Sequence, residues 1–121
     1  MPELSDEKLS EVSGGWSLEL FCVANPLYRF HTDLVLYFND QEKEQLKTNN
    51  CECKKFMLGG CNERNVVYSK KHRKCLNTAE LSKLLGPPKT NNDRAIAAYN
   101  ALVGQLNYEA KQGNAIEFLD T

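Results

Sequence analysis

A helix with a marked beginning and a marked end, in the last third of the chain, constrains the fold more than any other feature. Asn77 is a favourable N-cap residue, and Glu80 stands three positions later, which completes the pattern of a capping box. Gly86-Pro87-Pro88 cannot continue a helix. We therefore predict a helix over residues 78–85.

A second helix is predicted from residue 93 to about residue 112. Asn92 can cap its beginning, and Gly113 follows its end. Its apolar side chains recur with helical spacing, at Ile96, Tyr99, Leu102, Val103, Leu106 and Ala110. Small side chains favour close packing of this helix against a sheet, namely Ala95, Ala97, Ala98 and Ala101.

The first half of the chain predicts strands for that sheet. Residues 16–23 (WSLELFCV) are rich in strand-forming residues and alternate in polarity, and residues 27–38 end in the apolar run LVLYF. Asn25-Pro26 separates the two segments, which indicates a hairpin or two adjacent strands. Asn39-Asp40 can cap a short polar helix over residues 41–47, which we expect at the surface.

Residues 51–75 lack clear periodicity. Their apolar islands are Phe56-Met57-Leu58 and Val66-Val67-Tyr68, on either side of a turn at Gly59-Gly60. We predict an irregular or short-stranded, Cys-rich middle. The complete pattern predicts an α+β fold with two N-terminal strands, this middle segment, and C-terminal helices packed on the sheet.

Composition limits the chain to one domain and excludes several kinds of partner. Of its 121 residues, those after position 15 include fourteen Lys and Arg against twelve Asp and Glu, a charge too small to indicate nucleic acid. No apolar run approaches the roughly 20 residues that span a bilayer. The N-terminus also lacks the basic region and apolar core of a general secretory signal. We expect no transmembrane segment, no nucleic-acid partner and no cofactor.

The N-terminal segment LSDEKLSEVSGG places apolar residues, five and three positions apart, before two glycines. Leu4, Leu9 and Val12 fall along one stripe of a helix, and Gly14-Gly15 end that pattern. Two glycines favour the extended, unhindered chain that a protease needs at its scissile bond. Residues 1–15 closely resemble the double-glycine leader of precursors exported by bacteriocin-type ABC transporters.

The resemblance implies a leader that is recognised through Leu4, Leu9 and Val12 by the cysteine-peptidase domain of the exporter and is cleaved after Gly15. Residues 16–121 would then be secreted as a non-enzymatic, bacteriocin-like protein that acts on the envelope of a target cell. Such leaders often carry an acidic residue where this chain has Lys8. The alternative is an ordinary amphipathic N-terminal helix that ends at glycine.

The five cysteines all lie after the leader, at positions 22, 51, 53, 61 and 75. Export favours disulfides among Cys51, Cys53, Cys61 and Cys75, in pairs that the sequence does not fix. Alternatively, an intracellular zinc-binding or protein-interaction module could hold zinc with those four cysteines and His72. Cys51-x-Cys53 is tighter than the usual spacing of zinc ligands, which favours the disulfides.

A second alternative is a small cysteine-dependent hydrolase. His31-x-Asp33 would place an imidazole and a carboxylate on the same face of the second predicted strand, beside Cys22 on the first. No nucleophile elbow or oxyanion loop accompanies these residues. We therefore expect His31 and Asp33 to be ordinary polar strand residues and Cys22 to be a small core residue.

The densest charge cluster is Lys70-Lys71-His72-Arg73-Lys74. It suggests attraction to an anionic surface such as lipid head groups or the envelope of a target bacterium. A solvated loop is the simpler interpretation, since Tyr68 is the one aromatic residue close to the cluster.

Overall fold

A computed structural model describes residues 15–27, 29–59, 62–89 and 92–120, and these residues form an α+β domain. Its strands are β1 (Ser17–Asn25), β2 (Arg29–Tyr37), β3 (Cys51–Leu58), β4 (Asn62–Ser69), β5 (Lys74–Leu76) and β6 (Leu119–Asp120). Its helices are α1 (Asp40–Thr48), α2 (Thr78–Leu85) and α3 (Asp93–Lys111). The strands form one sheet in the order β1-β2-β4-β3-β6, with β5 also paired to β4. The predicted fold class is confirmed.

The predicted N-terminal strands form an antiparallel hairpin whose register runs from Ser17 opposite Tyr37 to Asn25 opposite Arg29. Directly opposed residues share a face of the sheet, so Leu18 and Leu36 form one cross-strand pair within the core. The alternation read from the sequence therefore corresponds to the buried face of this hairpin.

The middle of the chain is more regular than the sequence indicates. β3 and β4 are eight-residue strands, paired antiparallel from Cys51 opposite Ser69 to Leu58 opposite Asn62. Their periodicity is hidden because adjacent residues Val66 and Val67 are both fully buried, which places both faces of β4 in the interior. Of the two expectations for this segment, the stranded one is correct, and both strands extend beyond the apolar islands that indicated them.

Polar side chains join the two hairpins where β2 lies parallel to β4. The ladder there has one register pair, Leu34 with Arg64. The side-chain carbonyl of Asn62 accepts from the Thr32 N–H at 2.9 Å, and the side-chain amide of Asn65 donates to the Leu34 carbonyl at 3.0 Å. Arg64 also donates to the Thr32 carbonyl. These bonds satisfy backbone groups that a continuous ladder would otherwise pair.

Tyr99 of α3 lies where the pairing partner of β4 changes along the strand. β2 pairs with β4 at Arg64, and β5 pairs with it from Val67 to Ser69. The Tyr99 hydroxyl accepts from the Val67 N–H at 3.3 Å and donates to the Leu76 carbonyl at 2.7 Å. The side chain is fully buried, and burial raises the pKa of Tyr99 far above its usual range. Asn107, on the same helix, bonds both the N–H and the carbonyl of Cys75 at 2.9 Å. α3 therefore packs on the sheet through specific polar contacts as well as apolar ones.

The predicted helix ends agree with the structure. Asn77 and Glu80 form the capping box of α2, whose side-chain oxygens accept from backbone N–H groups at 2.9 and 3.0 Å. Asn92 caps α3 by accepting from the Ala95 N–H at 3.2 Å. α1 also begins with a capping box, formed by Asn39 and a buried Glu42. These local bonds explain why short polar signals located the helices correctly.

The C-terminal segment closes over the face of the sheet that carries Phe56 and Tyr68. The Phe118 ring lies 6.1 Å from the Phe56 ring and 5.7 Å from the Tyr68 ring, measured between centroids. Ile116 is also partly buried against the core, whereas Leu119 is exposed. Ile116 and Phe118 therefore attach this segment to the core.

Candidate functional site

The predicted cleavage site joins the leader to the folded domain at Gly15 and Trp16. The other leader residues of the prediction, Leu4, Leu9, Val12 and Gly14, lie outside the described residues. Gly15 and Trp16 are described. The geometry on both sides of their peptide bond therefore bears directly on how a protease could reach it.

Gly15 has a backbone conformation that residues with a side chain rarely adopt. Its φ is +113°, and a Cβ built there would lie 2.8 Å from the Cβ of Lys89. Its N–H donates to Glu42 Oε2 at 3.1 Å. A glycine at this position thus has a structural reason that is independent of cleavage.

Trp16 is the most deeply placed residue at the start of the domain. Its side chain is fully buried, and its ring centroid lies 6.4 Å from that of Phe38. The indole Nε1 donates to the Gly86 carbonyl at 3.0 Å, and the Trp16 carbonyl accepts from the Lys89 N–H at 2.7 Å. The backbone after the predicted cut is therefore held by the segment that follows α2.

Glu42 links this junction to α1. One carboxylate oxygen accepts from the Asn39 N–H at 2.9 Å within the capping box, and the other accepts from Gly15. Glu42 is 4% exposed, so this carboxylate is nearly removed from water. Our sequence analysis did not identify Glu42, although its position three residues after Asn39 was a signal for the capping box.

The cysteines predicted to form disulfides or bind zinc are divided between the two faces of the sheet. Cys51 and Cys53 are two residues apart on β3 and share a face, and Cys51 opposes Ser69. Cys75 instead opposes Tyr68, the neighbouring residue of β4, and so belongs to the other face. Within the described ranges no disulfide joins these cysteines or Cys22. Cys61, the fifth cysteine, lies outside those ranges.

The zinc alternative lacks its ligand cluster in the part of the chain that the structure describes. No group of three or more His, Cys, Asp or Glu side chains is arranged there to hold a metal ion. Burial also raises the pKa of both Cys53 and Cys75 to about 11, so both are neutral thiols near neutral pH. His72 is exposed in the turn that follows β4.

The register of the first hairpin separates the residues of the predicted hydrolase. Cys22 opposes Thr32, whereas His31 opposes Val23. The thiol and the imidazole therefore belong to opposite faces, so this register does not bring Cys22 and His31 together as the hydrolase alternative requires. His31 and Asp33 do share a face, with Nε2 and Oδ2 3.8 Å apart. Cys22 is exposed rather than a core residue.

The basic cluster forms the turn between β4 and β5. Lys70 Nζ lies 2.9 Å from Glu52 Oε2, and Lys74 Nζ lies 2.5 Å from Glu80 Oε2. Among the residues described, no carboxylate lies within ion-pair distance of Lys71 or Arg73. The turn therefore presents positive charge that its neighbours neutralise only in part.

Comparison with protein-family models, with curated proteins and with solved structures gave no match for this chain. Among the described helices, none combines the length and the apolar character needed to cross a membrane.

Proposed function

We propose that this chain is the precursor of a secreted, bacteriocin-like protein, with residues 1–15 as a leader that a peptidase-containing ABC exporter removes after Gly15. The observation that carries the proposal is the position of the double glycine. Gly14-Gly15 follows the spaced apolar residues Leu4, Leu9 and Val12 and directly precedes Trp16, a fully buried residue of the core.

The distribution of the core supports a mature product of residues 16–121. Among the described residues, which start at Gly15, the buried apolar residues run from Trp16 to Leu106, and β1 begins at Ser17. A cut after Gly15 would leave each of these residues in the product. It would remove the Gly15 N–H from Glu42 and place a new α-amino group one residue further along the chain.

The contacts at the junction also determine when cleavage would occur. Proteases bind their substrates as extended chain, whereas Gly15 and Trp16 are bonded to Glu42, Gly86 and Lys89 in the folded domain. We therefore propose that the exporter cleaves the chain before it folds, and that the product folds after release.

A protein-interaction module that retains residues 1–15 is the competing function. The observation in its favour is the geometry of Gly15, because φ of +113° and the contact with Lys89 account for a glycine without any protease. The fold accounts for a glycine at position 15 through its φ and its contact with Lys89. A substitution at Gly14 therefore tests cleavage without that structural explanation.

Substitutions in the producing cells test cleavage. Gly14→Val should abolish processing because a branched side chain obstructs the narrow cleft that accepts two glycines, and Leu9→Asp should do so by removing an apolar contact to the peptidase. Gly15→Pro should also block it. Gly104→Ala is the matched control, because Gly104 lies in α3 with no atom within 4 Å of an added Cβ. Normal cleavage of Gly14→Val and Gly15→Pro would overturn the assignment of the cut.

Antibacterial activity is tested on the product itself. Refolded residues 16–121 should inhibit growth of bacteria related to the producer, and the full-length chain should inhibit it less. Equal inactivity of both forms against such a panel would contradict the bacteriocin-like part of the proposal while leaving export to be judged by processing.

A further inference from the structure

A pocket lies beside the basic turn, between the sheet and α2, and the proposed export does not use it. Its volume is about 310 Å³, within the range of sites for small molecules. Lys71, His72 and Lys83 line it together with Leu76 and Leu84, and Ser69 lies among its lining residues. We call this cavity the β4–β5 pocket.

The charge of the β4–β5 pocket favours an anion. Lys71 and Lys83 are exposed, and within the described ranges neither has a carboxylate at ion-pair distance. The one carboxylate in the lining is that of Glu80, which is occupied by Lys74 at 2.5 Å and by the Asn77 N–H at 3.0 Å. Two ammonium groups therefore face a site whose negative charge is already neutralised.

The wall that carries these cations is held in place. The Lys70 N–H donates to the Asn50 carbonyl at 2.9 Å, and the His72 N–H donates to the hydroxyl of the buried Ser69 at 3.2 Å. These two hydrogen bonds fix the backbone on either side of Lys71, so its position at the edge of the pocket is defined before a ligand binds. Burial raises the pKa of Cys51, so its thiol stays neutral beside the pocket and does not repel an anion.

A second cavity on the other side of the same turn adds to the positive field. Arg73, Lys74 and Lys111 line it, with Lys111 supplied by the last turn of α3. Lys74 is paired with Glu80, so the turn and α3 supply the additional positive charge on this side, through Arg73 and Lys111. Charges of one sign in a concave surface raise the local concentration of oppositely charged ligands.

We propose that the β4–β5 pocket binds a phosphate monoester of a small molecule, with Lys71 and Lys83 on the phosphate and Leu76 and Leu84 against the body of the ligand. Lysine binds phosphate as a concentrated positive charge, and a dianionic phosphate matches two ammonium groups better than a single carboxylate does. The size of the pocket suits a metabolite or one lipid head group.

Calorimetric titration with glycerol 3-phosphate tests this site. Wild type should show saturable binding with one site, and Lys71→Gln and Lys83→Gln should each weaken it about tenfold, as expected for loss of a bond to a charged group. Lys43→Gln is the matched control, because Lys43 is an exposed lysine on α1 and does not line this pocket. It should change affinity less than twofold.

Vesicles distinguish the source of the phosphate monoester. Sedimentation with vesicles of phosphatidylcholine that contain phosphatidic acid indicates a lipid head group if binding depends on Lys71 and Lys83, and binding of glycerol 3-phosphate alone indicates a soluble ligand. Either result supports the site. Absence of binding to both probes, equal binding of sulfate, or unchanged affinity in both lysine variants would overturn it.

Discussion

At the scale of single residues, the junction between Gly15 and Trp16 has a geometry that the fold itself requires, whether or not a protease acts there. The positive φ of Gly15 brings its N–H to Glu42 and leaves room for Lys89, while Trp16 enters the core. Glycine is required by this geometry because L residues rarely adopt it. The same residue type is what the proposed peptidase requires.

Substitution of Gly15 in the full-length chain should therefore reduce stability. Gly15→Ala is expected to lower the free energy of unfolding by about 1–3 kcal/mol, since it places a Cβ in a strained conformation. Urea denaturation measures the change. The control Gly104→Ala should instead stabilise the protein by up to about 1 kcal/mol, because alanine is the better helix former. Equal stability of Gly15→Ala and wild type would contradict the described junction.

Tyr99 provides a second test at this scale. Tyr99→Phe removes the acceptor for the Val67 N–H and the donor to the Leu76 carbonyl, and the expected cost is about 1–3 kcal/mol. Tyr108→Phe, at an exposed position of the same helix, should change stability by less than about 0.5 kcal/mol. If both variants unfold at the same urea concentration, the described hydrogen bonds of Tyr99 to Val67 and Leu76 do not stabilise the fold.

At the scale of elements, local signals and long-range contacts differ in what they allow a sequence to predict. The caps at Asn77 and Asn92 lie within four residues of the groups that they bond, so α2 and α3 were predicted closely. β3 and β4 were underestimated because Val66 and Val67 face opposite sides and are both buried. The separation of Cys22 from His31 depends on the hairpin register, which alternation within one strand does not give.

The capping box of α2 predicts a dependence of stability on pH. Burial by itself would raise the pKa of Glu80, but Lys74 and the Asn77 N–H together hold it below its ordinary value of 4.5. Because the folded state binds the proton less tightly than the unfolded state, this stabilisation is present above pH 4.5 and is lost as pH falls below it. Glu80→Gln should therefore lose less stability than wild type between pH 6 and pH 3 in urea titrations. Parallel pH profiles would contradict the role of this carboxylate.

Thiol chemistry tests the division of cysteines between elements. Cys22 is exposed on β1, whereas Cys75 on β5 is buried and its pKa is raised to about 11 by that burial. Iodoacetamide at neutral pH should alkylate Cys22 in the native protein and Cys75 only after unfolding. Peptide mapping by mass spectrometry identifies the labelled positions. Rapid native labelling of Cys75 would contradict the described packing of β5.

At the scale of the whole molecule, the domain holds the residues on both sides of the bond that the proposed exporter would cut. The contacts of Gly15 with Glu42 and of Trp16 with Gly86 and Lys89 join residues far apart in the chain, so the sequence alone could not reveal them. They support the proposed order, in which cleavage precedes folding. The spacing of Leu4, Leu9 and Val12 suggests the cut, and the fold limits when it can occur.

Limited digestion tests this order. Leu81 of α2 is fully buried, so Leu81→Ala destabilises the fold. A double-glycine peptidase domain should cleave this full-length variant quickly after Gly15. It should cleave the folded wild-type chain much more slowly. Equal rates for the two forms would show that the junction is accessible in the folded domain.

Intact-mass measurement of the protein from the culture medium and from the cells tests the central claim most directly. Export with cleavage predicts that the medium contains a species that begins at Trp16. Full-length protein confined to the cells, with no such species in the medium, would contradict it.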